Sequence, residues 1–409
     1  MNKPLNKCLS IDKSNWTRVK LSDVVAEPRD TVKDFSTEQI EHVVGLEHIN
    51  SEDIHLRRSA NMDSSTTFTK KFLMGDVLFG RRRAYLKKAA QAKFSGICSG
   101  DITVLRIKEG LLSELLPFVV NNDKFFDYAV KHSAGGLSPR VKFKDLANYE
   151  FLLPPKEQQT QLAELFWAMD EVVEKETMVL DRIKNLYDLA SLKYILGKER
   201  VVDTTESLNM TELGLIPKQW TIKKYKDIAE LIHGYQFREN DFTENGIPII
   251  KIGEIGKDGN LNLQNCSYID LSRLSEFENK IIRNGDILMA LTGATLGKIC
   301  RVSDLKHTVI QNYRVGRFES SSELLKKEYL FYFLSSPVAL TQIFGKIHMA
   351  AQGNVGKCDI EEIKIPLPSI QEQEIICGIL NQMILGIHNS KSIITNSKAL
   401  QKSLINQIF

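Results

Sequence analysis

The sequence predicts an α+β protein in which two similar α/β units are joined by two long antiparallel helices, and three observations support this fold class. Motifs of the first half recur in the same order in the second half. A heptad-spaced apolar stripe follows each copy of a proline-containing motif. Short β-branched runs bounded by Gly, Asp and Ser precede each stripe. We therefore interpret the chain as an internal tandem repeat of one α/β unit plus one helix, with pseudo-two-fold symmetry.

The internal repeat has a period of about two hundred residues, far longer than that of a solenoid. Its matched segments keep their order along the chain: Trp16-Thr17 with Trp220-Thr221, Gly75-Asp76-Val77-Leu78 with Gly285-Asp286-Ile287-Leu288, and residues 154–159 with residues 368–373. The repeat predicts a first unit at 1–153, a first helical spacer at 154–205, a second unit at 206–366 and a second helical spacer at 367–409.

The order of elements is the same in both predicted units. Short alternating runs predict strands at 39–49, 75–79 and 101–107 in the first unit, and at 247–255, 286–291 and 313–318 in the second. Apolar spacing of three and four predicts a helix or helix pair at 111–132 and at 322–344. Extended segments at 149–153 and 363–367 end in prolines, which favour a helix start. The composition between Gly197 and Trp220 predicts a connector.

The two long helices carry apolar residues at steps averaging 3.5 residues, the spacing of a coiled-coil seam. In the first helix the stripe comprises Leu162, Phe166, Met169, Val173, Leu180, Ile183 and Tyr187. In the second it comprises Ile376, Leu380, Met383, Ile387, Ile394 and Leu404, with Ser390, Ser397 and Gln401 interrupting it. Each helix is therefore expected to pair with the other helix of the same chain, which leaves the outer faces for partner proteins.

Composition narrows the functional class. The chain has 54 basic and 51 acidic residues, a formal net charge of +3, so the whole-chain average does not select a partner. Its six cysteines are widely spaced, which argues against a zinc site and a disulfide framework. The start of the chain lacks an apolar signal region, and no apolar run is long enough to span a membrane. These features predict a soluble cytoplasmic protein with no metal site.

Motifs for catalysis are absent from the sequence or incomplete. The segment 293–298 lacks both the spacing and the hydroxyl of a phosphate-binding P-loop. Leu153-Pro154-Pro155-Lys156 lacks the polar and aromatic residues with which adenine methyltransferases hold the base. Glu362-Ile363-Lys364 with Asp359 could be a nuclease motif, but surface charge on the strand before the final helix is the simpler interpretation. We therefore expect a non-catalytic chain with no catalytic residue of its own.

Two basic loops of the first unit point to nucleic acid. Between Lys70 and Lys93 there are eight basic residues and a single acidic one, Asp76. Guanidinium groups bind phosphates and base edges with two donors at once, and small residues in the loop at 132–142 allow a close backbone approach. A solvated turn without a partner is the alternative. The predicted DNA-binding residues of this unit are Arg81, Arg82, Arg83, Tyr85, Lys87, Lys88, Ser138, Arg140 and Lys142.

The corresponding loops of the second unit are less basic and richer in hydroxyl and amide groups, which can read base edges. The alternative is a glycine-rich turn with ordinary polar capping. The predicted DNA-binding residues here are Thr292, Thr295, Lys298, Arg301, Gln311, Asn312, Arg314, Gln352 and Asn354.

Taken together, these features resemble the specificity (S) subunit of type I restriction-modification systems, over nearly the whole chain. The resemblance is carried by five stretches in the right order: residues 75–85, Gly136-Leu137-Ser138-Pro139-Arg140, residues 153–159, residues 212–220 and residues 365–373. The helix starts depart from the usual Pro-Pro-Leu-x-Glu-Gln, since Lys156 and Ser369 stand where other residues are common.

The resemblance implies that each α/β unit is a target recognition domain and that the helices form a coiled coil that docks two methyltransferase (M) subunits. The chain would then read an asymmetric bipartite sequence in double-stranded DNA without performing catalysis, and helix length would set the spacer. AdoMet would belong to the M subunits, and ATP and Mg to a restriction (R) subunit where one joins. Two alternatives are a self-contained type II-like restriction or methylation enzyme and a non-specific coiled-coil DNA-binding adaptor.

Overall fold

A computed structural model of the chain describes residues 12–33, 40–62, 66–199, 207–256, 260–345 and 355–409. It contains two compact units. The first comprises Met1–Met178 with Lys391–Phe409, and the second comprises Val179–Ser390. Across the described ranges, helices long and apolar enough to cross a membrane are absent.

The first unit is built from short strands and helices followed by the start of one long helix. Its strands are β1 (Thr17–Lys20), β2 (Val25–Ala26), β3 (Val43–Val44), β4 (Lys70–Phe72), β5 (Val77–Gly80), β6 (Ala89–Gln91), β7 (Gly96–Cys98), β8 (Ile102–Ile107) and β9 (Glu150–Leu153). Its helices are α1 (Leu21–Val24), α2 (Leu116–Val120), α3 (Asp123–Lys131), α4 (Phe143–Leu146) and the long α5 (Lys156–Ile195), which continues into the second unit.

The second unit repeats this order with an additional hairpin at its start. Its strands are β10 (Leu208–Thr211), β11 (Gly214–Pro217), β12 (Thr221–Lys224), β13 (Ala229–His233), β14 (Ile247–Ile250), β15 (Ser267–Ile269), β16 (Ile281–Ile282), β17 (Ile287–Ala290), β18 (Ile299–Arg301), β19 (Val309–Gln311), β20 (Val315–Ser320) and β21 (Lys364–Leu367). Its helices are α6 (Tyr225–Ile228), α7 (Lys327–Ser335), α8 (Pro337–Gly345), α9 (Lys357–Glu361) and the long α10 (Ile370–Ile408), which ends in the first unit.

The sheets of the two units have the same topology. The order β2-β8-β5-β6 in the first unit corresponds to β13-β20-β17-β18 in the second. The order β3-β7-β4 corresponds to β14-β19-β16, with a parallel first pair and an antiparallel second pair in both cases, and β15 is added at the edge in the second unit. The antiparallel pair β1·β9 corresponds to β12·β21. The predicted fold class, with its internal repeat, is therefore confirmed.

Each long helix packs into the core of both units. In the first unit, aromatic residues of the α/β part such as Phe118 and Phe125 share a core with Phe166 of α5 and with the last residues of the chain, Leu404 and Phe409. In the second unit, the core around Tyr329 and Phe333 includes Ile195 of α5 and Ile376 of α10. Each α/β part and the helices packed on it therefore share one buried core.

The two long helices contact each other in both units. In the first unit Gln401 Nε2 donates to the carbonyl of Phe166 at 3.1 Å, and the Phe166 and Phe409 rings lie 6.3 Å apart. In the second, Gly386 lies against Ile183. Every residue of the predicted stripe is buried or half-buried.

Local chemistry fixes the ends of α5. The helix begins after Pro154 and Pro155, and Gln159 N donates to Pro155 O at 2.9 Å. It ends at Ile195, and Gly197 follows two residues later with φ +64°. A Cβ at this glycine would lie 2.5 Å from the ring of Pro217, so only glycine fits both the left-handed backbone and the close approach.

Some predicted element bounds were wrong, because local hydrogen bonds interrupt the pattern. The strand expected at 247–255 ends at Ile250, since Lys251 N is bonded to the Glu254 carboxylate in a tight turn. The strand expected at 39–49 is reduced to β3, followed by a short 3-10 turn, and residue 39 lies outside the described residues. The expected connector before Trp220 contains the β10–β11 hairpin. Both predicted helix pairs are confirmed: Asn122 caps α3, and Pro337 begins α8.

Buried polar contacts repeat between the two units. Arg106 forms two hydrogen bonds with the buried Asp76 carboxylate, at 2.7 and 2.8 Å. Its counterpart Arg317 lies 4.0 Å from Asp286. The indole of Trp16 donates to Gln158, and that of Trp220 donates to Glu372. These pairs explain why Trp and Gly-Asp recur in the sequence repeat.

The most complete of the repeated contacts ties each long helix to the unit before it. The carboxamide of Gln159 is 2% exposed; its Nε2 donates to Gly110 O and Pro154 O at 2.8 and 3.0 Å, and its Oε1 accepts from Leu112 N at 2.9 Å. Gln373, fully buried, makes the same three bonds with Leu324 O, Pro368 O and Lys326 N. We call these two residues the glutamine clamps.

Removing a clamp should therefore destabilise the unit that contains it. Gln159→Ala leaves one backbone donor and two carbonyls without partners in a buried place, so the free energy of unfolding should fall by roughly 2–4 kcal/mol. Gln159→Glu keeps the shape but loses both donors and should also destabilise. The measurement is chemical denaturation of the purified chain.

The matched controls are Gln161→Ala and Gln371→Ala, which alter exposed glutamines in the first turns of the same helices. Each should change the free energy of unfolding by less than about 0.5 kcal/mol. A clamp variant as stable as its control would contradict the role assigned to these carboxamides.

Candidate nucleic-acid interface

In the first unit, backbone hydrogen bonds bring the two predicted basic loops side by side. Strand β5 ends at Gly80, after which Arg81 N donates to Asp101 O at 3.0 Å and Arg81 O accepts from Val141 N at 3.0 Å. Arg82 and Arg140 form an antiparallel bridge, and Arg83 N donates to Pro139 O at 2.8 Å. Residues far apart in sequence thus form one surface, which we call the arginine loops (80–88 and 132–142).

The side chains of the arginine loops are organised by one carboxylate and one hydroxyl. Asp101 accepts from Arg140 Nε at 2.6 Å and from Arg82 Nη1 at 3.3 Å. The Ser138 hydroxyl accepts from Arg82 Nη2 at 3.1 Å and from Arg83 Nη2 at 3.5 Å. The hydrogen bond from Arg140 is the main cause that lowers the pKa of Asp101 below its usual value near 3.8. Arg83 and Arg140 remain exposed and can reach a ligand.

The backbone around Arg83 is conformationally unusual. Arg83 and Lys87 have φ values of +55° and +49°, in the left-handed region that non-glycine residues rarely adopt. They flank the 3-10 turn Ala84–Leu86, in which Ala84 is buried and the Tyr85 side chain is 53% exposed. Such backbone strain costs on the order of 1 kcal/mol per residue and clusters at functional sites. The turn therefore holds Tyr85 outward beside the arginines.

Two lysines of this region have hydrogen-bond partners within the unit, which the sequence did not predict. Lys87 Nζ donates to the Asp123 carboxylate at 2.6 Å, and Lys88 Nζ donates to Leu46 O at 2.7 Å. Both ammonium groups are half-buried within the unit. Lys142, in contrast, is exposed next to Val141. The available positive charge is therefore carried mainly by the arginines.

The second unit uses the same backbone frame. Leu291 N donates to Arg314 O at 3.0 Å and Leu291 O accepts from Val355 N at 3.1 Å, as Arg81 does with Asp101 and Val141. Thr292, at the end of β17, lies next to this junction and is half-buried. Arg314 therefore occupies the position in the second unit that Asp101 occupies in the first.

Arg314 presents a flat cationic surface. Its Nε donates to the Tyr313 hydroxyl at 2.6 Å, and its guanidinium lies 5.3 Å from the centre of that ring. Its backbone N is bonded to the side chain of Asn312, which is largely buried. An arginine stacked on tyrosine is preorganised for binding a planar base or a phosphate.

Four other predicted residues of the second unit have internal roles or partial burial. Gln311 is fully buried and its Nε2 donates to Ile232 O and Val315 O, both at 2.7 Å, so this conformation does not present it to a ligand. Arg301 is ion-paired with Glu328 at 2.6 Å and stacks on Phe331. Thr295 and Lys298 are half-buried in the turn after β17. The remaining two, Gln352 and Asn354, lie outside the described residues.

Sequence reasoning missed a segment that contributes to the same surface. Tyr235 N donates to Gln311 O, and Tyr235 O accepts from Tyr313 N, so residues 233–236 run beside Arg314. A Cβ at Gly234 would lie 2.2 Å from Gln311 O, which is why glycine precedes the tyrosine. Together with Lys251, whose ammonium lies over the ring of Phe242, this segment lines a depression next to Arg314. The motif Gly234-Tyr235-Gln236 could have identified this segment from the sequence.

Within the described residues there is no group of three or more His, Cys, Asp and Glu side chains that could hold a metal ion. The chemistry that the surface supports is recognition of an anionic, planar ligand by guanidinium, hydroxyl and aromatic groups. This is the chemistry of nucleic-acid binding.

Comparisons with known proteins agree with this geometry. A family model described as "Type I restriction modification DNA specificity domain" matches residues 217–396. The chain is 28% identical to the type I restriction enzyme MjaVIII specificity subunit of Methanocaldococcus jannaschii over 68% of its length, and 24% identical to the EcoBI specificity subunit of Escherichia coli over 63%. These alignments span 65% and 56% of the relatives, less than two thirds of their length.

Solved structures share the fold over almost the whole chain. A type I restriction-modification S subunit from M. genitalium superposes with a TM-score of 0.58 at 12% identity and covers 100% of this chain and 99% of that one. A chain from a study of complex assembly and conformational transition in a type I R-M system has a TM-score of 0.58 at 20% identity, with 96% of both chains covered. The fold is thus shared with S subunits of known structure. The chain is similar to type I restriction-modification specificity subunits, and the family model matches its second half.

The ion pairs of Asp101 can be tested by titration. The pKa of Asp101 is lower in the folded protein than its usual value of about 3.8. The carboxylate is therefore ionised at neutral pH. Its ion pairs with the arginines are lost only when the pH falls below about 3.8 and passes through the lower folded pKa. Arg140→Ala should raise the pKa of Asp101 more than Arg82→Ala does, since the Arg140 bond is the larger cause. The measurement is carboxyl-carbon NMR across pH 2–6, roughly the range in which carboxyl groups titrate.

Lys144→Ala, which removes an exposed cation from the neighbouring α4, is the control and should leave the Asp101 titration nearly unchanged. A larger effect of Arg82→Ala than of Arg140→Ala would contradict the arrangement described.

Proposed function

We propose that this chain is the DNA-recognition subunit of a type I restriction-modification complex and performs no chemistry itself. The recognition domains are assigned to 1–153 and 206–366, and the helical spacers to 154–205 and 367–409. Each domain reads one half of an asymmetric bipartite target in double-stranded DNA, and spacer length follows helix length. The similarity to type I restriction-modification specificity subunits and the basic surfaces of the two units support this proposal.

The main support for the proposal is that the two units share the same backbone hydrogen bonds at these loops but carry different side chains there. At the position bonded to the end of the central strand, the first unit has Asp101 between two arginines, whereas the second has Arg314 stacked on Tyr313. A carboxylate can accept from a cytosine amino group, whereas arginine pairs with guanine. Two half-sites of different sequence are the expected result.

The arginine loops suit contacts with both the phosphate backbone and base edges. Exposed Arg83 and Arg140 can neutralise phosphates, which supplies affinity without sequence information. Arg82 and Arg314 are held by neighbouring groups, and a guanidinium in a fixed orientation can discriminate bases.

Partner proteins are proposed to dock on the outer faces of the long helices. In the first unit Leu165 and Val172 of α5 are seven residues apart and nearly half-exposed, and Ile393 and Leu400 of α10 repeat this spacing. In the second unit α5 continues the pattern with Val179 and Leu186, which are 42% and 56% exposed. Apolar residues at heptad spacing suit a helical partner.

We assign this surface to two methyltransferase (M) subunits, with restriction (R) subunits joining where the host encodes them. AdoMet then belongs to the M subunits, and ATP and Mg to the R subunit, so this chain binds no cofactor. The complex acts in the cytoplasm, where its DNA substrates are. Buried cysteine thiols such as Cys98 and Cys377 are compatible with a reducing compartment.

The experiment uses the chain co-expressed with the methyltransferase subunits of its host. Affinity for duplex DNA is measured by fluorescence anisotropy at several salt concentrations. The triple variant Arg82→Ala, Arg83→Ala and Arg140→Ala should bind at least about tenfold more weakly. The slope of log affinity against log salt should become shallower by about 2–3, because each phosphate contact contributes roughly 0.9.

A matched control removes three cations outside the arginine loops: Arg18→Ala, Lys156→Ala and Lys175→Ala. It has the same net charge as the triple variant and should change the salt slope by less than about 0.5. An unchanged slope in the arginine variant would support the adaptor alternative. Turnover of DNA by this chain alone with AdoMet or a metal would support the enzyme alternative.

A further inference from the structure

One apolar side chain of the arginine loops is almost fully exposed to solvent. Leu137 is 96% exposed, more than any other large apolar residue within the described ranges. It belongs to none of the core clusters of the first unit. A leucine in this position contributes nothing to the packing of the unit, and a polar residue would be better solvated there.

The loop that carries Leu137 is held in place on both sides. Ala134 and Arg140 exchange two backbone hydrogen bonds, at 2.9 and 3.0 Å, and close a short loop around residues 135–139. Arg83 N donates to Pro139 O at 2.8 Å, and the Ser138 hydroxyl accepts from Arg82. Leu137 is therefore presented at the tip of a braced loop.

The glycines before Leu137 give the loop its turn and leave room around the tip. Gly135 has φ +117°, a conformation that side chains rarely adopt. A Cβ at Gly136 would meet no atom within 4 Å, so the backbone beside Leu137 is bare. Small residues at this place let the loop approach a ligand closely.

The surroundings of Leu137 are cationic. Arg82, Arg83 and Arg140 contact the loop or form part of it, and Lys142 follows, whereas Asp101 is already ion-paired with two of these arginines. An exposed apolar tip on a loop that carries and contacts arginines matches the pattern with which proteins insert an apolar residue into DNA while cations hold the flanking phosphates.

We propose that Leu137 is a wedge that enters a base step of the bound DNA and partly unstacks it. This inference rests on the proposed function of the first unit as a DNA reader. Unstacking is easiest at pyrimidine–purine steps, so the wedge contributes a preference for such a step in one half-site without any hydrogen bond to a base. Leu137 is thus a specificity-determining residue beyond the arginines.

The test uses a duplex selected from a random library by the wild-type chain, with 2-aminopurine replacing one adenine at a time. Binding is followed at low salt without methyltransferase subunits, so that a base flipped by an enzyme cannot contribute to the signal. The wild type and Leu137→Met should raise 2-aminopurine fluorescence about twofold or more at a step in one half-site. Leu137→Ala and Leu137→Ser should abolish this rise and weaken selective binding by about three- to tenfold.

Leu86→Ala, which shortens another exposed leucine in the arginine loops, is the control and should retain the fluorescence rise. Circular dichroism should show that the Leu137 variants fold as the wild type does. Selective binding by the wild type with no fluorescence rise at any position would overturn the wedge but leave the proposed function intact.

Two further outcomes would also overturn the proposal. If Leu137→Ala keeps the fluorescence rise but loses affinity for methyltransferase subunits, the residue contacts protein instead of DNA. If the wild type selects no sequence from the library at all, the proposed function fails and the wedge fails with it.

Discussion

The glutamine clamps are the contacts on which the rest of the structure depends. Gln159 and Gln373 each satisfy two carbonyls and one backbone N–H in a buried place, where any of these groups left unpaired would be costly. They join the first turn of a long helix to the loop that leads into the helices of the α/β unit. Because β9 and β21 end directly before these turns, the clamps also hold the ends of these strands.

Two copies of one fold in a single chain separate structural from functional residues. Contacts that are buried and satisfied recur, such as the indole of Trp16 with Gln158 and that of Trp220 with Glu372. Changing one partner alone would leave a buried polar group unpaired, so these positions are constrained. The surface position held by the same backbone bonds carries Asp101 in one copy and Arg314 in the other. Solvent and ligand, not the fold, determine the side chain at such a position.

The long helices and their stripes followed from local periodicity in the sequence, and the repeat followed from motifs that recur in the same order. The sequence predicted the two arginine loops as separate candidate sites. It did not predict that they lie side by side, because this depends on hydrogen bonds between residues 81–83 and 139–141. Lys87 was expected to be available for DNA but is bonded to Asp123, a partner that no local pattern reveals. The sequence suggests that Gln311 is a polar surface residue. In the structure it lies on β19, and its carboxamide donates to the carbonyls of Ile232 and Val315. Tertiary pairing, which has no short-range signature, accounts for these differences.

The central claim is that one chain reads two unlike half-sites with two independent surfaces. It is tested most directly by in vitro selection from a random duplex library with three proteins: the wild type, the pair Arg82→Ala with Arg140→Ala, and the pair Thr292→Ala with Arg314→Ala. The wild type should select two short conserved blocks separated by a spacer of fixed length. The first variant should relax base preference in one block only, and the second variant in the other block only. A single contiguous target, or variants that relax both blocks together, would contradict the account.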